Sequence, residues 1–182
     1  MTDIIHSLKR LECEDQRLLA LLTFTGLRRG EMLGLRWEDI DIAQGLIHVQ
    51  RNVTFTSNQP IIGTPKSKSG VRDVPLLPQL LESIKPLEVT GYIVGGEAPI
   101  TLMKYERSIE RIERTIDLHG ATAHVLRHTY LTMLNNAGID PKTIQAIGGH
   151  ADIGTTMNRY VHSQKKQVLF AGETMGKVMP FV

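Results

Sequence analysis

The chain has 182 residues, of which 41% are hydrophobic, 22% charged and 5% aromatic, with a formal net charge of +2. This is the profile of one soluble globular domain, and a chain of this length buries roughly 70% of its unfolded surface without a disulfide or a metal. No run of about 18 apolar residues offers a membrane span, MTDIIHSLKR lacks the apolar core of a signal peptide, and one cysteine excludes an intrachain disulfide or a Cys-x-x-Cys zinc spacing.

Residues Glu14 to Phe24 carry apolar side chains at helical spacing (Leu18, Leu19, Leu21, Leu22), and Thr25-Gly26 closes that helix. Cys13, just before it, is expected to be a half-buried thiol on the helix. A short helix follows over 29–35, then Trp37, expected in the core, and the acidic run Glu38 to Asp41. Between Gly45 and Leu76 the pattern changes to three strands, 46–50, 60–62 and 71–76, the last two joined by a turn rich in Gly, Pro, Ser and Lys. These predict a small three-stranded antiparallel sheet set into a helical protein. Helices are then expected over 79–85, 101–117, 123–137, 141–147, 152–160 and 165–176, with Pro141 suited to a first turn and Gly120, Gly138 and Gly148-Gly149 acting as breaks. The fold class is α+β, mainly helical.

Five polar sites stand out on this scaffold: Arg28 after the Thr-Gly turn, Lys66 and Lys68 in the strand-connecting turn, His124 and Arg127 three apart on one helix, His150 after Gly-Gly, and Tyr160. Guanidinium forks pair bidentately with phosphate oxygens, and aimed at a pentavalent phosphorus they stabilise the charge that grows in the transition state. A tyrosine hydroxyl can act as nucleophile if its pKa, ordinarily about 10, is lowered or a base assists. The set contains neither a Mg²⁺-type carboxylate cluster nor a Walker-type phosphate loop.

These residues sit in motifs. The segment Thr25-Gly26-Leu27-Arg28-Arg29-Gly30-Glu31 resembles the first arginine motif of the tyrosine recombinases, the phage-integrase family. Pro65-Lys66-Ser67-Lys68-Ser69-Gly70-Val71-Arg72-Asp73-Val74-Pro75-Leu76 resembles its hairpin lysine motif, and His124-Val125-Leu126-Arg127-His128-Thr129 its His-x-x-Arg box. Gly149-His150 and Thr155 to His162 resemble its closing motifs, in the family's order and spacing from about residue 14 to 163.

The resemblance implies a tyrosine-recombinase catalytic domain and a role for each position. Tyr160 matches the nucleophile that forms a 3′-phosphotyrosyl link, and Arg28 and Arg127 the phosphate-clamping arginines. Lys66 matches the lysine that protonates the departing 5′-oxygen; Lys68 is the alternative, and the register to Arg72 and Pro75-Leu76 favours Lys66. His124 matches the histidine of proton transfer with the tyrosine, His150 the second histidine at the phosphate or leaving group, and Glu31 an accessory acid supporting the first arginine. Neither cofactor nor metal is implied. The implied partner is double-stranded DNA carrying attachment sites, bound by a monomer that becomes a tetramer on synapsed sites, with an excisionase or a host DNA-bending factor as accessory and no membrane. The implied location is the bacterial cytoplasm, on the nucleoid during activity.

The whole chain, 1–182, is expected to be one catalytic domain, with the family's core-binding and arm-binding domains lying outside these residues, as in an excised fragment or a truncated product. Residues 164–182 resemble the tail that docks onto a neighbouring protomer. Two other functions fit parts of the pattern: a type IB-like topoisomerase, and a DNA-binding relative that has lost catalysis. Arg29 is expected at the surface or on the DNA backbone, His128 in a structural role, and His6, His48, His119 and His162 as ordinary polar residues. Gly148 departs from the larger apolar residue usual before Gly-His, which is expected to loosen the loop presenting His150.

Overall fold

Consecutive leucines, rather than an apolar stripe, mark the helix that runs through the centre of the protein. In α1 (Cys13–Thr25) every apolar side chain from Leu18 to Phe24 is at most 1% exposed. The computed structural model describes residues 6–65, 70–85, 90–120, 122–149 and 161–179, the last with side chains from Val168 onward. Cys13 is exposed, contrary to expectation, because it opens the helix ahead of the buried run.

Gly26 ends α1 in the left-handed conformation, φ 64°, and the Thr25 hydroxyl fixes the turn, donating to the Leu21 carbonyl at 2.6 Å and accepting from the Leu27 amide at 3.2 Å. The short helix α2 (Arg29–Leu33) follows at once, with Arg28 as its first flanking residue. Strands β1 (Ile40–Asp41), β2 (Leu46–Val49) and β5 (Arg72–Pro75) form an antiparallel sheet in the order β1-β2-β5, pairing Leu46 with Pro75 and His48 with Asp73.

The three expected strands all exist, but they do not share one sheet. The strand expected at 60–62 is β4 (Gln59–Gly63), and it pairs with β3 (Asn52–Thr56) in a separate two-stranded hairpin. The reason is local: a two-residue turn at Ser57-Asn58, with Ser57 at φ 56°, folds β4 straight back on β3. Pro60 lacks an amide donor and suits such an edge strand. The hairpin tip also holds the start of a helix, since the Asn58 side chain accepts from the Met103 amide at 2.8 Å.

The remaining helices are α3 (Pro78–Ser83), α4 (Leu102–Ile116), α5 (Ala123–Asn136), α6 (Pro141–Gly148) and α7 (Val161–Val178). They match the expected spans closely, except that α7 begins four residues earlier; the helix expected at 152–160 lies outside the described residues. Helix α4 is strongly amphipathic, with Tyr105, Ser108 and Ile112 inward. Its Arg111 grips Asp15 of α1, only 1% exposed, through two hydrogen bonds. Helix α7 packs on its own chain from Val168 on: Val168, Ala171, Met175 and Met179 are buried, Pro75 sits against Gly172, and the Gln79 amide donates to the Gly176 and Met179 carbonyls. Trp37 is buried as expected, with the Arg17 guanidinium 4.9 Å over its ring. No helix among the described residues is long and apolar enough to cross a membrane.

The buried ring of Tyr130 on α5 occupies the space where a side chain on Gly26 would go. Gly26→Ala therefore faces both a positive φ and a clash. It should lower stability by at least about 2 kcal/mol, read as a lower urea midpoint with an unchanged slope.

Candidate active site

The tight end of α1 decides where Arg28 points. Its backbone amide donates to Glu31 Oε2 at 2.9 Å, so Glu31 reaches back to cap the helix it belongs to. Arg28 Nη1 donates to Glu31 Oε1 at 2.7 Å and Nη2 to the Gly149 carbonyl at 2.9 Å, while the side chain stays 45% exposed. Arg127 arrives from α5 and is buried. It donates from Nη1 to the Gly26 carbonyl at 2.7 Å and from Nη2 to the Gly148 carbonyl. Residues nearly 100 apart in the chain thus meet across the Gly26 turn and the end of α6.

A third arginine joins them. Arg72 of β5 is 7% exposed and forms a two-pronged ion pair with Glu31, Nη1 to Oε1 at 3.1 Å and Nη2 to Oε2 at 2.8 Å. Its Nε donates to the Ile147 carbonyl at 2.6 Å and Nη1 also to the Gly70 carbonyl at 3.1 Å. The last carbonyls of α6 therefore receive one arginine each: Ile147 from Arg72, Gly148 from Arg127, Gly149 from Arg28. Carbonyls at a helix C-terminus lack partners within the helix and carry its partial negative charge, so they suit cations.

The electrostatics follow from this crowding. Burial pushes the Glu31 carboxyl up, but the Arg72 hydrogen bonds and charge, then those of Arg28, outweigh it and leave the group below its ordinary 4.5. Arg127 is lowered from its ordinary value to about 10, first by burial and then by the charge of Arg28, with Glu31 opposing and Arg72 adding to the fall. It stays charged at neutral pH, but at a cost that a bound anion would offset.

His124 opens α5 and is exposed; its ring meets that of His128 edge-on with centroids 4.5 Å apart. His128, expected in a structural role, is exposed, and among the described residues its ring contact is with His124. Positions 124 and 128 share the outer face of α5, while 126, 127 and 130 turn inward. His124, Arg28, Arg29 and Arg127 line one side of a cleft of about 690 Å³, with Tyr105 and Glu110 of α4 opposite. Arg29 is exposed, as expected, yet its guanidinium lies 5.4 Å from the Phe55 ring and 5.6 Å from the Tyr105 ring, tying β3 and α4 to α2. Among the described residues no group of three or more His, Cys, Asp or Glu is placed to hold a metal.

Of the expected site residues, Arg28, Glu31, Arg127 and His124 come together. Lys66, its alternative Lys68, His150 and Tyr160 lie outside the described residues. The expectation that Gly148 loosens its loop has a described counterpart: Gly148 is buried, and its carbonyl is held by Arg127. Arg72 lies outside the expected set of site residues. A signal for it exists, since strand alternation places Arg72 on the same face as Val74, and an arginine on a core face needs a buried partner.

The model of the phage integrase family matches residues 1–167 of the chain. A XerC-like tyrosine recombinase of Caldanaerobacter subterraneus subsp. tengcongensis is 33% identical, over 87% of this chain and 48% of the relative. Among solved structures, the integrase of mycobacterium phage Brujita superposes with a TM-score of 0.65 at 20% identity, over 98% of this chain and 57% of that one. The Tn1549 transposon integrase in complex with transposon right-end DNA gives 0.58 at 24% identity, over 83% and 58%. The chain spans about half the length of the curated relatives it matches.

The Glu31 environment has a pH signature. Its folded pKa lies below the unfolded 4.5, so the stability it contributes is present above that pH and is lost as the pH falls through the folded value. Glu31→Gln should cost about 3 kcal/mol at pH 7, because it leaves Arg72 buried without a charge partner. In urea titrations the gap from the unsubstituted protein should narrow steadily below pH 4.5.

Proposed function

Because the chain belongs to the phage integrase family, the tyrosine recombinases, we propose that it is the catalytic part of a site-specific DNA recombinase, an integrase of a phage or another mobile element. The Tyr160 hydroxyl attacks a DNA phosphodiester, the Tyr160 Oη–phosphorus bond forms, and the bond from phosphorus to the 5′-oxygen breaks. Lys66 gives the leaving 5′-oxygen its proton, His124 takes part in proton transfer with the tyrosine, and His150 hydrogen-bonds the phosphate or the leaving group. A phosphotyrosyl ester is close in energy to the diester it replaces, so a partner strand's 5′-hydroxyl reverses the step without ATP.

The observation that carries this reading is the convergence of Arg28 and Arg127 on the end of α6, in a cleft shared with His124. Two guanidiniums held in place before the substrate arrives are what a phosphorane needs, since fixed charges lose nothing to reorganisation during the reaction. The exposed edge of Arg28 is the side from which a phosphate enters. Exchange between duplexes takes four protomers on paired attachment sites, with an excisionase or a DNA-bending protein to shape the DNA. Residues 164–182 dock onto a neighbouring protomer in that assembly, exchanging the contacts that α7 makes on its own chain. The names of the relatives favour recombination over topoisomerase-type relaxation.

Incubation with nicked duplexes carrying attachment sequences, without Mg²⁺, should give an SDS-resistant protein–DNA band. The band should vanish in Tyr160→Phe while gel-shift binding persists; an adduct in that variant would overturn the nucleophile assignment. Arg127→Ala should slow cleavage by about 100- to 1,000-fold and change DNA affinity far less. Equal losses in both would make Arg127 a binding residue only.

A further inference from the structure

Arg72 uses four donor–acceptor contacts to join three separate parts of the chain. Its fork holds Glu31, which in turn holds both the backbone amide and the guanidinium of Arg28. Its Nη1 holds the Gly70 carbonyl, at the C-terminal end of the lysine-bearing segment 65–70. Its Nε holds the Ile147 carbonyl, three residues before His150. The guanidinium lies under Gly149, where an added Cβ would come within 2.8 Å of its central carbon. A surface arginine would make such contacts loosely, but this one is 7% exposed, against a carboxylate that is 3% exposed.

We propose that Arg72 is a positioning residue for DNA cleavage: it reaches no substrate, and it sets the orientation of Arg28 through Glu31 while fixing the Gly70 and Ile147 carbonyls around the same carboxylate. The inference rests on the reading of Arg28 as a phosphate ligand. Lysine cannot replace it, because a single ammonium cannot span two carboxylate oxygens and a carbonyl on the far side at once. Two consequences follow. Losing Arg72 misplaces the catalytic groups without removing any of them, so chemistry falls and binding is spared. It also leaves Glu31 buried with Arg28 as its one remaining arginine partner among the described residues, so burial then governs the carboxyl and its pKa rises.

The test uses a nicked duplex to which the unsubstituted chain becomes covalently linked, in single-turnover cleavage across pH. Arg72→Ala should cleave roughly 100-fold more slowly, as expected for misplaced reacting groups, with DNA affinity unchanged. Ethylguanidinium in the buffer should restore about 10-fold of that loss, by filling the vacated site. The Arg72→Ala rate should also acquire an acid limb absent from the unsubstituted chain, and Arg72→Ala/Glu31→Gln should lose that limb. Arg72→Lys keeps the charge and the aliphatic stem, serves if the alanine variant does not fold, and should remain slow.

Cleavage at the unsubstituted rate in Arg72→Lys or Arg72→Ala would overturn the proposal. So would parallel losses of binding and rate with no rescue and no acid limb, which would leave Arg72 a purely structural residue. A ¹³C titration of the Glu31 carboxyl separates this inference from the functional reading. Its pKa should rise on Arg72→Ala whether or not any duplex is cleaved, and an unmoved Glu31 would sink the inference alone. Absence of adduct in the unsubstituted chain would sink the functional reading alone.

Discussion

Three guanidiniums gathered around one carboxylate make an arrangement that should fly apart, and the rest of the site depends on what prevents it. Arg28, Arg72 and Arg127 carry three positive charges, and Glu31 returns one negative charge among them. The remaining compensation comes from a helix end. Helix α6 stops at Gly149, φ 62°, and its last carbonyls have no amide left to accept from. Each takes an arginine instead. Partial charges on fixed carbonyls hold the three arginines in place without neutralising them. Burial first, and then the charge of Arg28, lower the pKa of Arg127 in this cluster.

The fold works to keep two turns facing each other, the Gly26 turn after α1 and the Gly149 turn after α6. Arg127 spans them, one Nη on each. The first turn is anchored by Thr25 and by Tyr130, whose ring seals it and whose hydroxyl finds no hydrogen-bond partner among the described residues. Burial raises the pKa of that hydroxyl, which keeps it neutral. The sheet contributes through β5, because Arg72 leaves the strand on the face that Val74 uses for the core. The hairpin β3–β4 contributes from the other side, with Phe55 and Tyr105 holding Arg29 and Asn58 holding the start of α4. Arg28 therefore sits between rigid neighbours rather than at the tip of a loop.

Most of this was legible in the sequence where periodicity or chain punctuation carried the signal. The leucine run of α1, the Thr-Gly stop, the amphipathic α5 and the Pro141 start are all properties of adjacent residues, and each element appears where those residues place it. Strand β3 carries a sequence signal as well: Asn52-Val53-Thr54-Phe55-Thr56 alternates polar and apolar residues, and its hairpin with β4 moves the strand expected at 60–62 into a second sheet. The site divides in the same way. Arg28, His124 and Arg127 stand in short motifs. Arg72 stands in one of those motifs as well, but its importance is tertiary, since its partners are 41 and 75 residues away. The exposure of Cys13 and the outward turn of His128 depend on which face the neighbours cover, and spacing alone does not say that.

The paired glycines before His150 carry different constraints. A bulky residue followed by glycine would serve to end a helix, and a second glycine looks like loosened packing. Gly149 cannot carry a side chain for two independent reasons: its φ lies in the left-handed region, and the Arg72 guanidinium fills the space a Cβ would need. Arg72 is there because Glu31 is, and Glu31 is there to orient Arg28. The missing side chain at 149 thus belongs to the same chain of contacts that presents Arg28. Gly148, beside it, lies buried with its carbonyl on Arg127. The backbone entering His150 is held by arginines on consecutive carbonyls, which makes this stretch an ordered part of the site despite a composition that reads as a flexible link.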